Sequence, residues 1–437
     1  MAIAPNANID CQAAGSPTNG GFFDGTVANA GIDYSLSTSP IVTLTDVACT
    51  QNSTTITSAT GEFTTALIGN GVWFSAGTNF ITTTPRYVVS VESPTSLTLD
   101  SPPATAGNGS GGNMKIGGCW ASPTSGQWSN SVGGCTWWYK SQQTYTLTGT
   151  LSVPANPTGA LKINMKSYTT THGDFVSFSN IPKLACGNSY YTLSSSVSVE
   201  GLWIDGTRSG QYTLVVNNGS IINCKVTNTS NNSSSGALSF NSTIVYGCDL
   251  SATYGNAVYA NTGTIVNSFI HDSLLGVTVS SGQRVYVMRT IFKNTTTCVS
   301  LNSAAVYALS FIESIFYNFT SGIVTNGSKF HFIEGCIFHT GTSALTDSIN
   351  NPSIVAKRNI FYNVSTNGNN IALDSTNMQN TDPLFVDPNN NDFSVKNGSP
   401  ALLAGYNFFT INLPNTMFRN IGIDQYTHRN ISTASWG

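Results

Sequence analysis

Charge is what this chain has least of. Of its 437 residues only 8% are Asp, Glu, Lys or Arg, and the formal net charge is −3. Without a basic field there is nothing to gather phosphates, so nucleic acid is not expected as a partner. No run approaches the ~18 consecutive apolar residues of a transmembrane helix, and no membrane insertion is expected. Residues 1–10 show neither a basic stretch nor an apolar one, so no secretory signal is read there; either one has been lost or the protein leaves its cell by assembly or lysis. CxxC and HxxxH spacings are missing, and Asp205, Asp249, Asp272, Asp347 and Asp374 are scattered rather than clustered. No metal and no cofactor are therefore expected. Sequence order offers no Ser/His/Asp or Cys/His nucleophile arrangement. The nine cysteines, an odd number in a long chain, do not fix the redox compartment.

What is present instead is a repeat. Between Val199 and Ser375 a mostly small residue before a pair of apolar positions recurs at Leu202, Cys224, Cys248, Ser268, Thr290, Ser314, Cys336 and Asn359, in steps of 20 to 24 residues. That period signals a solenoid in which each repeat buries its apolar face against its neighbours. Two residues after each anchor stands a large apolar side chain: Val226, Leu250, Ile270, Phe292, Phe316, Phe338 and Phe361. Two further on come Asn228, Asp272, Asn294, Asn318 and Asn363, with Ala252 and Thr340 as exceptions. Asn and Asp tolerate a left-handed corner, and stacked Asn side chains bond one another along an axis. These five residues are thus expected to form a ladder. A second and a third short alternating run follow in each repeat, with no helical period. The reading is all-β: a right-handed single-stranded parallel β-helix, three strands per rung, with a small N-terminal β domain. The anchors Cys224, Cys248 and Cys336 are read as small buried hydrophobes.

Residues 1–118 read as an N-terminal β module, 119–198 as a bridge and cap with the first rungs, 199–380 as the β-helix, and 381–437 as a closing segment. Cys119 with Cys135 and Cys11 with Cys49 are possible disulfide partners, and Cys186 is left open. Trp120, Trp128, Trp137 and Trp138 crowd the bridge, where they serve as a cap over an otherwise open end or as a sugar-stacking platform.

Three stretches carry a resemblance. Asn52 to Ala59, Phe63-Thr64, Tyr87-Val88-Val89, Ser96 to Asp100 and Gly117-Gly118 resemble an N-terminal module common in structural proteins of tailed bacteriophages. Ile163 to Asp174 is similar to the opening rungs of phage and bacterial right-handed β-helix proteins. Asp382 to Asp387, Asp392 to Val395, Gly398 to Ala401 and Ile421 to Asp424 resemble the terminal segment of many right-handed parallel β-helix repeat proteins. The resemblance implies a pectate-lyase-like fold in a virion structural protein, attached to its particle through the N-terminal module. Only about a dozen residues follow the last stretch, whereas a tailspike usually carries a substantial trimerisation or folding domain there.

Some pectate-lyase-like and tailspike β-helices cut polysaccharides with outer-strand carboxylates, so paired acids are the candidates for chemistry. Glu313 and Glu334 precede successive anchors and are the weak catalytic candidates; Arg289 before them and Lys357 and Arg358 after them make a compensated surface ladder the simpler expectation. A second column, His271, Lys293, Tyr317, His339 and Tyr362, is expected to point outward. Its aromatic members, with Trp137 and Trp138, are the candidate glycan contacts. The functional expectation is a non-enzymatic virion protein (capsid decoration, fibre or spike) at the particle surface, meeting other virion proteins and a host glycan, with a homotrimer favoured. The alternatives are a tailspike-type polysaccharide lyase or hydrolase and a bacterial surface adhesin.

Overall fold

The computed structural model describes residues 7–24, 36–121, 133–147, 149, 151–153, 162–193, 197–280, 284–301, 308–325, 331–348 and 354–403. Trp128 and the Ile421–Asp424 stretch lie outside them. The fold is all-β, with a parallel β-solenoid of about seven turns. The chain divides into two compact units, 1–176 with 180–244 and 252–255, and 177–179 with 245–251 and 256–437.

The first unit begins with a difference from the expected boundaries. Strand Asn8–Cys11 pairs in parallel with Thr136–Lys140 and so belongs to the solenoid sheet. The antiparallel module is an insertion: strands Val42–Cys49, Thr55–Thr57, Gly71–Thr78, Arg86–Ser93, Ser96–Leu99 and Gly109–Ile116 close into a six-stranded barrel. Alternate residues of these strands fill it, among them Val47, Ile56, Val72, Phe74, Val88, Leu97 and Met114. Gly20 lies where a Cβ would meet the Gly71 carbonyl oxygen at 2.0 Å, so only glycine fits at that crossing. After the barrel, Ile163–Tyr168, Val197–Glu200 and Ser220–Ile222 add successively to Thr136–Lys140. Lys183–Gly187, Trp203–Gly206 and Lys225–Asn228 stack beside them. All nine cysteines are buried and none is in a disulfide: neither Cys11 with Cys49 nor Cys119 with Cys135 is bridged.

In the second unit the rungs change form. Strands Phe269–Val279, Ile291–Leu301, Ile315–Thr325, Ile337–Asp347 and Ile360–Asn369 each run through what the sequence divides into two runs. A single left-handed residue explains it. Asp272, Asn294, Asn318, Thr340 and Asn363 have φ between 48° and 58°, which bends the strand while pairing resumes on both sides. Asn294 Nδ2 donates to Asp272 Oδ1 at 2.9 Å and Asn318 Nδ2 to Asn294 Oδ1 at 2.7 Å. Thr340 keeps the ladder going, accepting from Asn363 Nδ2 at 3.3 Å. Asn228 is not part of it: it lies outside the left-handed positions, is buried, and its amide donates to the carbonyls of Gly236 and Arg208.

The interior is a stack of rings. Phe292, Phe316, Phe338 and Phe361 lie face to face with centroids 4.8, 4.5 and 5.2 Å apart and planes within 9° of parallel. That spacing is the ~4.8 Å distance between paired strands, so the backbone repeat itself sets the ring stacking.

Candidate functional site

The charge column is built on a corner that the repeat hides. The residue before every anchor (Gly201, Asn223, Gly247, Asn267, Arg289, Glu313, Gly335 and Arg358) has φ between 49° and 67°. A left-handed residue here turns the chain between sheets and leaves the preceding carbonyl facing inward, and the anchor side chain supplies its donor. Ser268 Oγ donates to Val266 O at 3.0 Å, Thr290 Oγ1 to Met288 O at 3.1 Å and Ser314 Oγ to Ile312 O at 3.1 Å. Cys224 Sγ stands 3.2 Å from Ile222 O, and Cys248 Sγ 3.4 Å from Tyr246 O. The anchors are therefore corner donors as well as small core residues, a correction to their reading as plain hydrophobes. Buried carbonyls need such partners.

Glu313 and Glu334 do not form a carboxylate pair. Glu313 occupies the corner itself, and its rung neighbour at that position is Gly335. Glu334 registers with Ile312 on one side and Lys357 on the other. Arg289 Nε donates to Glu313 Oε2 at 2.9 Å, and Arg358 Nη2 contacts Glu334 Oε1. Each acid is thus tied to a guanidinium, and the compensated ladder is what the structure shows.

The second column lies under the chain's own C-terminal segment. Strands Phe385–Asp387 and Asp392–Val395 form a two-stranded hairpin, and with the short helix Pro400–Leu403 they make a strap. Phe385, Phe393 and Ala401 pack on the outer row Phe269, Ile291, Ile315, Ile337 and Ile360. Lys293 Nζ donates to Pro388 O at 3.0 Å, Asn389 O at 2.7 Å and Asn391 Oδ1 at 2.6 Å. Burial lowers its pKa, opposed by the charges of Asp272 and Asp387. Tyr317 Oη donates to Asn389 Oδ1 at 2.9 Å, and its ring meets Phe393 edge-on. His339 lies between Tyr317, Tyr362 and Phe385; burial lowers its pKa. Tyr317, His339 and Lys293 therefore receive the strap, which corrects their reading as an open groove for sugar.

His271 stands apart from this cover. Its Nε2 is 2.6 Å from Asp249 Oδ1 and its Nδ1 2.7 Å from Asp272 Oδ2, so both ring nitrogens face carboxylates. Burial works against the imidazolium, but the two carboxylates outweigh it and raise the pKa to about 9. The His271 hydrogen bond in turn lowers that of Asp272. Asp249 and Asp272 are read from the sequence as scattered; the 22-residue step from Asp249 to His271 is the signal that brings them together.

In the first unit, Trp137 is fully buried and packs on Trp120, whose indole donates to Asn19 O at 2.7 Å. Trp137 is a core residue, so its sugar-stacking reading is withdrawn. Trp138 faces outward, stacks on His172 with centroids 4.7 Å apart and donates to Asn8 Oδ1 at 2.9 Å. His172 Nε2 lies 3.3 Å from buried Asp10, whose pKa is raised by burial against that contact. A patch that sequence reading passed over is Lys183–Trp203–Lys225, stacked in register on one outer strand position. The two ammonium groups lie 4.2 and 5.0 Å from the indole centroid, and Lys183 also pairs with Asp205 at 2.7 Å. Among the described residues no group of three or more His, Cys, Asp or Glu could hold a metal, and no helix is long and apolar enough to cross a membrane.

No protein-family model and no curated protein matches this chain. Similar solved structures include pectate lyase Pel9A, with a TM-score of 0.44, 11% identity, 58% of this chain and 75% of that one covered. The catalytic unit of a thermostable GH87 α-1,3-glucanase from Streptomyces thermodiastaticus strain HF3-3 gives 0.27, 11%, 76% and 87%. The Agl-KA catalytic domain gives 0.25, 11%, 78% and 88%.

Proposed function

We propose that this chain is a non-enzymatic structural protein of a phage particle, a capsid decoration, fibre or spike, in which the inserted barrel attaches to the particle and the solenoid presents a low-charge polar surface. One observation carries this reading: the two acids at the best catalytic spacing in the sequence are out of register and held by Arg289 and Arg358. Each acid is paired with a base rather than with the other acid, which is the arrangement of a compensated surface ladder and not of an acid and a base facing one another across a cleft. The experiment is incubation of the purified protein with the host's capsule or exopolysaccharide, followed by assay of reducing ends and unsaturated sugars. No release is expected, and release that disappears in Glu313→Gln would contradict the reading.

A second reading, a polysaccharide depolymerase, draws on a different feature. Asp272, more than half exposed, stands beside the imidazole of His271, which places a carboxylate and a proton donor side by side at an open corner of the rung. In that case release of reducing ends would survive Glu313→Gln and vanish in Asp272→Asn.

A further inference from the structure

The strap joins no ladder of the solenoid. Among the described residues its two strands pair only with each other, and Lys396 N closes the hairpin by donating to Leu384 O at 2.9 Å. Its hold on the second unit is lateral, and at the centre of that hold stands one amine. Lys293 is 8% exposed, and its Nζ donates to Pro388 O, Asn389 O and Asn391 Oδ1. The three acceptors differ in what they can do. Pro388 and Asn389 offer main-chain amides, whose carbonyl carbons part with nothing unless the chain is cut. Asn391 offers a primary carboxamide at 2.6 Å, the shortest of the three contacts, and a primary carboxamide can release ammonia.

Both partners are fixed in place. Lys293 lies in a strand, in register between His271 and Tyr317. Asn391 ends the turn Pro388–Asn390, where its φ of 68° and its N–H bond to Pro388 O set its direction. Asp387 caps the same turn, accepting from Asn390 N and Asn390 Nδ2, and its charge acts on Lys293. Burial lowers the Lys293 pKa, which enlarges the share of neutral, nucleophilic amine at a given pH. Reactants held in contact have already given up the freedom that a bimolecular reaction must lose on the way to its transition state.

We propose that Lys293 and Asn391 join in an intramolecular isopeptide bond that welds the strap to the solenoid, with Asp387 moving the proton. Lys293 Nζ gives one proton to the Asp387 carboxylate and attacks Asn391 Cγ. The Nζ–Cγ bond forms, the Cγ–Nδ2 bond breaks, and its electron pair leaves with Nδ2, which takes one proton from Asp387 and one from Nζ. Overall an ammonium group and a carboxamide become a secondary amide and a free ammonium ion, with no oxidant or reductant. The hydrogen-bonded cage is the reactant state: it docks the strap, and the bond then makes the docking permanent. This goes beyond the structural reading above and does not depend on it, since the weld serves a virion protein and a depolymerase alike.

The test uses the full folded chain. Purified protein is incubated at neutral pH, then unfolded, digested with trypsin and analysed by mass spectrometry. The expected product is one branched peptide holding both Lys293 and Asn391, lighter by one ammonia than its two parts together. Asp387→Asn keeps an acceptor for the turn but cannot carry the proton, and is expected to slow the bond roughly 100-fold. Lys293→Arg keeps a cation for the three oxygens without a primary amine, and should not link. Recovery of Lys293 and Asn391 only in separate peptides after prolonged incubation would overturn the proposal. So would an unchanged rate in Asp387→Asn, or an equal loss of ammonia from the Asn391 peptide in Lys293→Arg, which would place that loss at an asparagine acting alone.

Discussion

The residue after the anchor is the same position of the repeat throughout, yet it is dressed in two ways. In the first unit it is Trp203 and Lys225, with Lys183 in register before them; in the second, after Asp249, it is Phe269, Ile291, Ile315, Ile337 and Ile360. The first set is half-buried and sets two ammonium groups on the indole. The second is apolar because the strap buries it. The chemistry of a solenoid face therefore reports what lies on it, and an aromatic or isoleucine column on such a strand is evidence of a cover before it is evidence of a ligand.

Placing charge on both faces is the strongest way to break the comparison. Ile315→Lys puts an unpaired ammonium under the strap and is expected to cost about 4 kcal/mol, the range for an uncompensated buried charge. Lys225→Ile on the open face should stay within about 0.5 kcal/mol, and urea unfolding of the two variants measures the contrast.

Two histidines at one repeat position sharpen it. His271, between carboxylates, has a pKa raised to about 9, so the stability it adds is complete below its unfolded pKa, ~6.5, and is lost as pH rises through 9. That contribution is about 3 kcal/mol and is absent from His271→Gln. His339, under Phe385, has a lowered pKa, and its contribution is lost instead as pH falls below ~6.5. NMR titration of the two rings should find them on opposite sides of the ordinary value; a shared pKa would erase the distinction between the sites.

Lys293→Met removes the donor for three acceptors while keeping the stem. About 2 kcal/mol of strap docking is expected to go with it, seen as faster protease cleavage between Phe385 and Leu403. Trp203→Ala, which removes both exposed cation–π contacts where Lys225→Ile removes one, costs about 1 kcal/mol by thermal unfolding.

The solenoid was legible because its corners repeat in chemistry as well as in spacing: Asn294 and Asn318 announce a ladder that only stacked rungs can make. The other corner was hidden by its diversity, since Gly247, Asn267, Arg289 and Glu313 share a backbone angle and no side-chain property. That hid the role of Glu313 as well, and the one-residue offset of Glu334 followed from Gly335 taking the corner in its rung. The strap's strands fall in the stretches read as a closing segment, but the face it docks on left no local trace, because lateral packing across 95 residues, as from Lys293 to Pro388, imposes no period on either partner. Pairing of Asn8–Cys11 with Thr136–Lys140 was invisible for the same reason: the barrel intervenes.

The central claim is that the second unit's outer face is a docking surface for its own chain. Hydrogen exchange of the strap's backbone amides, read by mass spectrometry, tests it most directly. The account predicts protection of the amides in Phe385–Val395 in the native chain and its loss in Lys293→Met, with Ile291–Leu301 and Ile315–Thr325 protected in both. Exchange of the strap in the native protein at the rate of a free peptide would contradict it.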